Sequence, residues 1–319
     1  MLCIACHDAG GAELLASWVA RKDEPFTFLL SGPALAVFER RLGQTVQTVG
    51  LDQALNECDR FLTGSSWQSD LEWQVIRHAR LLRKPVITFL DHWGHYRERF
   101  VRNGEEYLPN AIWTGDDEAF SMAKAVFPDV SVELVHNPYF EDVREAVLKL
   151  EHVDRMSGIM PSGLRLLFVC EPLSEHGLMQ FGDPNYWGYT EFDALRFLLS
   201  HLSLLGGPIL DLVLRPHPSE RPGKYDAIVR ELRTDFSVNV RVGGDRSLIQ
   251  EITDCNIVAG CESMAMVVGL IAGRRVVSTI PPGGHHCTLP HQQIESLQCL
   301  LLAARSTAKC PAVLTTEGT

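Results

Sequence analysis

Apolar positions along the chain fall into short continuous runs, each followed by a longer stretch in which they recur every three or four residues. The first pattern reads as buried strand and the second as amphipathic helix. In the first half the spacing predicts strands over Leu2–Cys6, Phe26–Leu30, Gln44–Val49, Arg60–Thr63, Pro85–Leu90, Ala111–Thr114 and Ser131–Val135. It predicts helices over Glu13–Arg21, Ala34–Leu42, Leu51–Glu57, Ser69–Leu82 and Asp117–Val126, the fourth capped at Ser69. After a charge-rich stretch the alternation restarts. Strands are expected at Leu164–Val169, Leu210–Leu214, Val238–Val242, Asn256–Val258 and Arg275–Thr279. Helices are expected at Glu191–Leu204, Tyr225–Arg233, Ser247–Ile252, Met264–Ala272 and His291–Ala304, with Gly273 as the C′ residue of the fourth.

Strands alternating with helices mean a parallel sheet covered on both faces, and two such series mean two domains. The chain therefore reads as α/β, with two Rossmann-like doubly wound domains facing a cleft. The first spans 1–140 and the second 164–305, with a linker at 141–163 and a tail at 306–319. In such sheets a ligand sits beyond the carboxyl ends of the strands, so the loops there carry the chemistry.

The composition of the 319 residues, 45% hydrophobic and 22% charged, is that of a soluble globular protein and excludes disorder. Lys and Arg number 29 against 40 Asp and Glu, a net charge of −11 with no basic run. That balance argues against nucleic acid and against an anionic membrane surface as partners. The nine cysteines are scattered and odd in number, which suits a reducing cytoplasm better than a disulfide framework. Cys3 and Cys6 have C-x-x-C spacing but sit inside the first apolar run and read as buried strand residues. No basic region precedes that run and no long apolar stretch follows, so neither a signal peptide nor a transmembrane helix is expected.

Seven loops follow predicted strands. His7-Asp8-Ala9-Gly10-Gly11 enters the first helix and reads either as a tight turn or as a general base, His7 or Asp8, beside paired glycines that admit a ligand. Ser65, in Gly64-Ser65-Ser66-Trp67, either caps the next helix or lines the cleft. Asp91–Phe100 gathers His92, His95, Tyr96, Arg97 and Arg99, a set for stacking on a ring and bonding hydroxyls, or a surface loop with an ion pair. Glu171 opens a long loop rich in aromatics. His217, fixed between Pro216 and Pro218 and next to Arg215, reads either as a structural histidine or as one that meets a phosphate. Glu262, Ser263 and Met264 stand at a helix start, where Ser263 either caps the helix or meets an anion while Glu262 suits ribose hydroxyls. The last loop holds Gly283, Gly284, His285, His286, Cys287, His291 and Gln292. His285, His286, Cys287 and His291 are residue types that ligate zinc, but the stretch reads better as a glycine-hinged loop contacting the donor.

Arg215-Pro216-His217-Pro218, then Glu262-Ser263-Met264-Ala265, then Gly273-Arg274-Arg275-Val276-Val277-Ser278, resemble the donor half of a GT-B glycosyltransferase. The His-Pro pair is similar to that of bacterial sialyltransferases, capsule Kdo transferases and CDP-glycerol glycerophosphotransferases. The resemblance implies a cytoplasmic, metal-independent transferase of surface polysaccharide or glycoconjugate biosynthesis, with no cofactor beyond a nucleotide-sugar donor. It implies donor-phosphate contacts from His217 and Ser263, and donor contacts from Arg215, Glu262, Met264, His291 and Gln292. Asp8 or His7 would act on a glycan or other hydroxyl acceptor, near Gly10, Gly11, Ser65, His92, His95, Tyr96 and Glu171. The Asp/Glu-Asp/Glu-Gly motif of several sialyltransferases has only a rough counterpart in His7–Gly10. A nucleotide-sugar 2-epimerase or hydrolase, and a non-catalytic sugar or nucleotide binder, stay open beside the transferase. So does a homo-oligomer.

Overall fold

Leu2–Cys6 is buried along its whole length, as a strand covered on both faces must be. A computed structural model describes residues 1–66, 69–157, 163–235 and 238–308. The chain divides into two units, Met1–Glu145 with Thr288–Pro290, and Ala146–Cys287 with the chain from His291.

The first unit runs β1 (Leu2–Cys6), α1 (Ala9–Val19), β2 (Phe26–Leu30), α2 (Pro33–Leu42), α3 (Leu51–Glu57), β3 (Arg60–Thr63), α4 (Leu71–Leu81), β4 (Val86–Leu90), β5 (Val101–Arg102), β6 (Glu105–Glu106), β7 (Ala111–Thr114), α5 (Asp117–Val126) and β8 (Ser131–Leu134). Six of these strands form one parallel sheet in the order β2-β1-β3-β4-β7-β8; β5 and β6 make a small antiparallel hairpin. Helix α6 (Pro138–Ser157) follows and occupies much of the stretch read as linker.

The second unit runs β9 (Leu164–Val169), α7 (Leu173–Phe181), α8 (Glu191–Leu199), β10 (Ile209–Arg215), α9 (Asp226–Asp235), β11 (Asn239–Val242), α10 (Leu248–Thr253), β12 (Ile257–Gly260), α11 (Met264–Ile271), β13 (Arg275–Ser278), β14 (Ile294–Ser296) and α12 (Leu297–Ala308). Its six strands are parallel in the order β11-β10-β9-β12-β13-β14. Both halves are thus Rossmann-like, as their strand–helix alternation predicts. In each core, aliphatic and aromatic side chains of the sheet meet the apolar stripes of the helices, with Phe61, Ile76 and Phe100 buried in the first and Phe168, Leu195 and Tyr225 in the second.

Four stretches depart from the expectation. The helix expected over Glu191–Leu204 stops as α8 at Leu199, and a separate 3-10 turn covers Leu202–Leu205. Gln44–Val49 is not a strand: only Val46 is buried, and the segment touches the sheet through one bridge, Thr48 to Phe28. The long loop after Glu171 contains α7, whose polar sequence hides a short helix that packs through Leu173 and Gly177 and stops at left-handed Gly182. His291–Ala304 is not one helix, because Ile294–Ser296 pairs with β13 as an edge strand before α12 begins at Leu297. Trp67, Cys310 and the tail from residue 309 lie outside the described residues.

Candidate functional site

Strand order reverses once in each sheet, between β1 and β3 in the first and between β9 and β12 in the second. At such a point the loops leave neighbouring strands in opposite directions and open a crevice at the carboxyl edge. Both crevices are spanned by a glutamate.

In the first unit, β1 delivers His7 and Asp8. His7 Nδ1 lies 2.7 Å from Asp8 Oδ1, so in the neutral ring the proton sits on Nδ1 and the Nε2 lone pair is left to accept. The bond to Asp8 chiefly raises the imidazole's affinity for a proton. Gly32, with φ of 55°, backs this ring: a Cβ there would stand 2.5 Å from Nε2. Gly10 is also needed as glycine, since a Cβ would stand 2.9 Å from Asp91 Oδ2. The Asp91 carboxylate thus lies against the first turn of α1, where the helix dipole favours an anion. Ser65 Oγ donates to Asp91 Oδ1 at 2.6 Å, and Arg99 Nη1 reaches the Ser65 carbonyl at 2.5 Å and Asp91 Oδ1 at 3.8 Å.

Glu72 closes the crevice from α4. Its Oε1 accepts the backbone N–H of His7 at 2.7 Å. Burial, and then the charge of Asp8, push its carboxyl up to about 8.

Several other side chains of the Asp91–Phe100 loop are turned into the core or paired on the surface. Trp93, Tyr96 and Phe100 are buried, Trp93 Nε1 donates to Asp116, and Arg97 pairs with Glu106 on the surface. His92 packs near Trp93, and His95 adopts a left-handed φ of 53°.

In the second unit, Glu171 Oε1 accepts the N–H groups of Cys261 at 3.0 Å and Glu262 at 2.9 Å. Burial and the neighbouring Glu262 carboxylate raise Glu171 to about 7, against the pull of those N–H groups. Ser263 caps α11 through Ala265 N–H, with Met264 as the first helical residue. His285 Nε2 lies 3.5 Å from Glu262 Oε1.

Next along the sheet, β10 delivers His217. Its backbone N–H donates to Glu220 Oε2 at 2.7 Å, and its Nδ1 accepts from Ser219 N–H at 3.2 Å, which leaves the ring proton on Nε2. Glu220 is held in turn by Lys224 and by Tyr225 Oη at 2.8 Å, and Lys224 also reaches Glu191 and Glu175. Arg215, by contrast, is turned to Glu251 Oε2 at 2.6 Å and the Arg246 carbonyl. His291 and Gln292 make the turn into β14, on the far edge from β10. Among the described residues no three or more His, Cys, Asp and Glu side chains are grouped to hold a metal ion. No helix among them is long and apolar enough to cross a membrane.

The structure brings His7, Asp8, Gly10, Gly11 and Ser65 together around one crevice, and Glu171, Glu262 and Ser263 around the other, with His217 on the neighbouring strand. Glu72, Asp91 and Arg99 complete the first crevice; Asp91 and Arg99 belong to the Asp91–Phe100 loop singled out in the sequence, whereas Glu72 was not among the candidates. One signal for Glu72 exists in the sequence: it shares the α4 face of Val75, Ile76 and Ala79, where a carboxylate is out of place.

No protein-family model matches the chain. No curated protein matches it in sequence. Among solved structures, it is similar to Methanocaldococcus jannaschii UDP-GlcNAc 2-epimerase in complex with UDP-GlcNAc and UDP, at 10% identity over 96% of this chain and 92% of that one, with a TM-score of 0.61. It is also similar to S. aureus MnaA in its UDP co-structure, at 10% identity over 97% and 88% of the two chains, with a TM-score of 0.55. Likeness at this identity shows the two-domain fold, not the particular families to which the His217-Pro218 motif is similar.

Proposed function

We propose that the chain is an enzyme acting on a nucleotide-activated sugar, and that it transfers the sugar to a hydroxyl acceptor. The observation that carries this reading is the second crevice. The N–H groups of Cys261 and Glu262 and the capped start of α11 follow β12, and His217 Nε2–H follows β10, the two strands that flank β9 in the sheet, a set of donors suited to a diphosphate. Glu171 holds the anion position now, and a phosphate would take its place. The likeness in fold to a structure solved with UDP-GlcNAc and UDP supports a donor of that class.

In this reading the charge that develops on the leaving phosphate is met by His217 and the α11 amides, protein groups fixed before the reaction begins. Arg215, Met264, His291 and Gln292 have a lesser part in it. The His7–Asp8 pair takes the acceptor proton on His7 Nε2, with Asp8 orienting the ring as a carboxylate does in a catalytic triad. Gly10, Gly11 and Ser65 shape the acceptor side.

A second reading, 2-epimerisation, is favoured by the epimerase among the similar folds. Product analysis separates the two. UDP-GlcNAc and CMP- and CDP-linked sugars are incubated with the purified chain, with and without a panel of hydroxyl acceptors. Product that forms only with an acceptor supports transfer. An epimer or free sugar formed without one supports the second reading. Binding without turnover in every arm removes both.

A further inference from the structure

Glu72 is a buried acid with half of its hydrogen-bonding capacity used. It sits in the first turn of α4, 2% exposed, on the face that carries Val75, Ile76 and Ala79 into the core. Oε1 accepts the His7 backbone N–H, and Oε2 is buried with no hydrogen-bond partner. The titratable groups that act on it are Asp8 and His7 from the β1–α1 turn, with the Cys6 thiol at the end of β1; Asp70 stands at the head of α4 itself, and Asp91 and Arg99 follow β4. Arg99 is committed to Asp91 and Ser65, and Asp70 to Arg102. Among the described residues no cationic side chain forms an ion pair with Glu72.

An unpaired carboxylate in that place would stand buried beside the Asp8 carboxylate, which strongly favours the neutral form. The oxygen that accepts an N–H is the carbonyl oxygen of a neutral carboxyl, so its proton belongs on Oε2.

We propose that Glu72 is a positioning residue of the first crevice: a neutral carboxyl that fixes the His7 backbone through Oε1, stores a proton on Oε2, and changes the proton affinity of the His7–Asp8 pair when it ionises. The coupling runs both ways, as linkage requires. Negative charge on Asp8 holds the proton on Glu72, and negative charge on Glu72 would hold a proton on His7. The consequence for the reaction rests on the reading of His7–Asp8 as the proton acceptor; the coupling itself does not.

The test is a pH titration of the full chain, from about pH 5 to 10, with 13C-labelled glutamate carboxyls and histidine rings followed by NMR. Glu72 is expected to titrate highest of the glutamates, above Glu171 and about two or more pH units above the rest. The His7 ring should show a second inflection at the same pH. In E72Q both signals should disappear while the first His7 inflection remains. With an active donor–acceptor pair, E72Q should shift the alkaline limb of the kcat profile and leave the donor KM unchanged. A titration in which no glutamate besides Glu171 lies above the ordinary range overturns the proposal, as does a His7 curve identical in wild type and E72Q. If E72Q does not fold, the wild-type titration alone decides. Absence of turnover with every nucleotide-sugar would remove the functional reading and leave this titration to stand or fall separately.

Discussion

Glu171 and Cys261 stand on opposite sides of the strand-order reversal in the second sheet, and the carboxylate of one accepts the backbone N–H of the other at 3.0 Å. The crevice is therefore filled by an internal anion. Removing it should expose two N–H donors to a ligand. Glu171→Ala is expected to tighten binding of a nucleoside diphosphate about tenfold, measured by calorimetry. Weaker binding in that variant would mean that Glu171 itself holds the ligand.

The raised carboxyls give stability a definite slope with pH. Glu72 and Glu171 titrate near 8 and 7 in the folded chain, above the value of an unfolded glutamate. Between the two values the folded state binds more protons, so these groups make stability fall as pH rises, until about pH 8. His7, also raised, adds to the same trend: its contribution is present at low pH and lost as pH rises through its folded value. Asp142, Glu191 and Glu295 are lowered and act oppositely, losing stability as pH falls through the acid range. Denaturant unfolding should give a maximum in mildly acid solution and a loss on the order of 1–4 kcal/mol by pH 8. E72Q and E171Q should flatten that loss.

Lys224, 5% exposed, is the cation shared by Glu191, Glu220 and Glu175. Lys224→Met should cost about 3–5 kcal/mol in unfolding free energy, because it strands buried carboxylates. It should also loosen His217, whose backbone is held by Glu220. Unfolding curves read the first effect, and the histidine NMR linewidth the second.

Gly32→Ala places a methyl group on His7 Nε2 in a left-handed backbone position. We expect destabilisation of about 1–3 kcal/mol and a displaced His7 ring signal. An unchanged His7 titration in this variant would remove the case for an accessible Nε2.

Ser263 has both a capping role and a proposed ligand role, and two substitutions separate them. Ser263→Ala should cost about 1 kcal/mol by loss of the cap, and Ser263→Asn should keep it. If the hydroxyl also meets phosphate, nucleotide affinity falls in both. If it only caps, affinity survives in Ser263→Asn.

Much of the architecture was legible because both halves alternate buried strands with amphipathic helices, and Leu51–Glu57, Arg60–Thr63 and Leu164–Val169 lie where the pattern puts them. Helix α7 and strand β14 escaped, the one for lack of an apolar stripe and the other because a three-residue edge strand has no period of its own. At the site, residues that directly follow strands could be read in order along the chain. The Asp91–Phe100 loop was legible in that way, but Glu72 was not, and neither were the pairings of Asp91 and Arg99 with Ser65, because what joins them is the adjacency of β1, β3 and β4 in the sheet, and sequence spacing does not carry that.

The two sheets differ in where they reverse. The third strand of the first unit, β3, lies on the far side of β1 from β2, whereas its counterpart β11 lies on the same side of β9 as β10. The two crevices are thus lined from different positions in the strand order, and every contact described at each is made within one unit. A hybrid chain joined within α6, taking one half from this protein and the other from a relative, would inherit each crevice whole. Recombination of halves, rather than exchange of single loops, would therefore carry the hydrogen bonds of each crevice over intact.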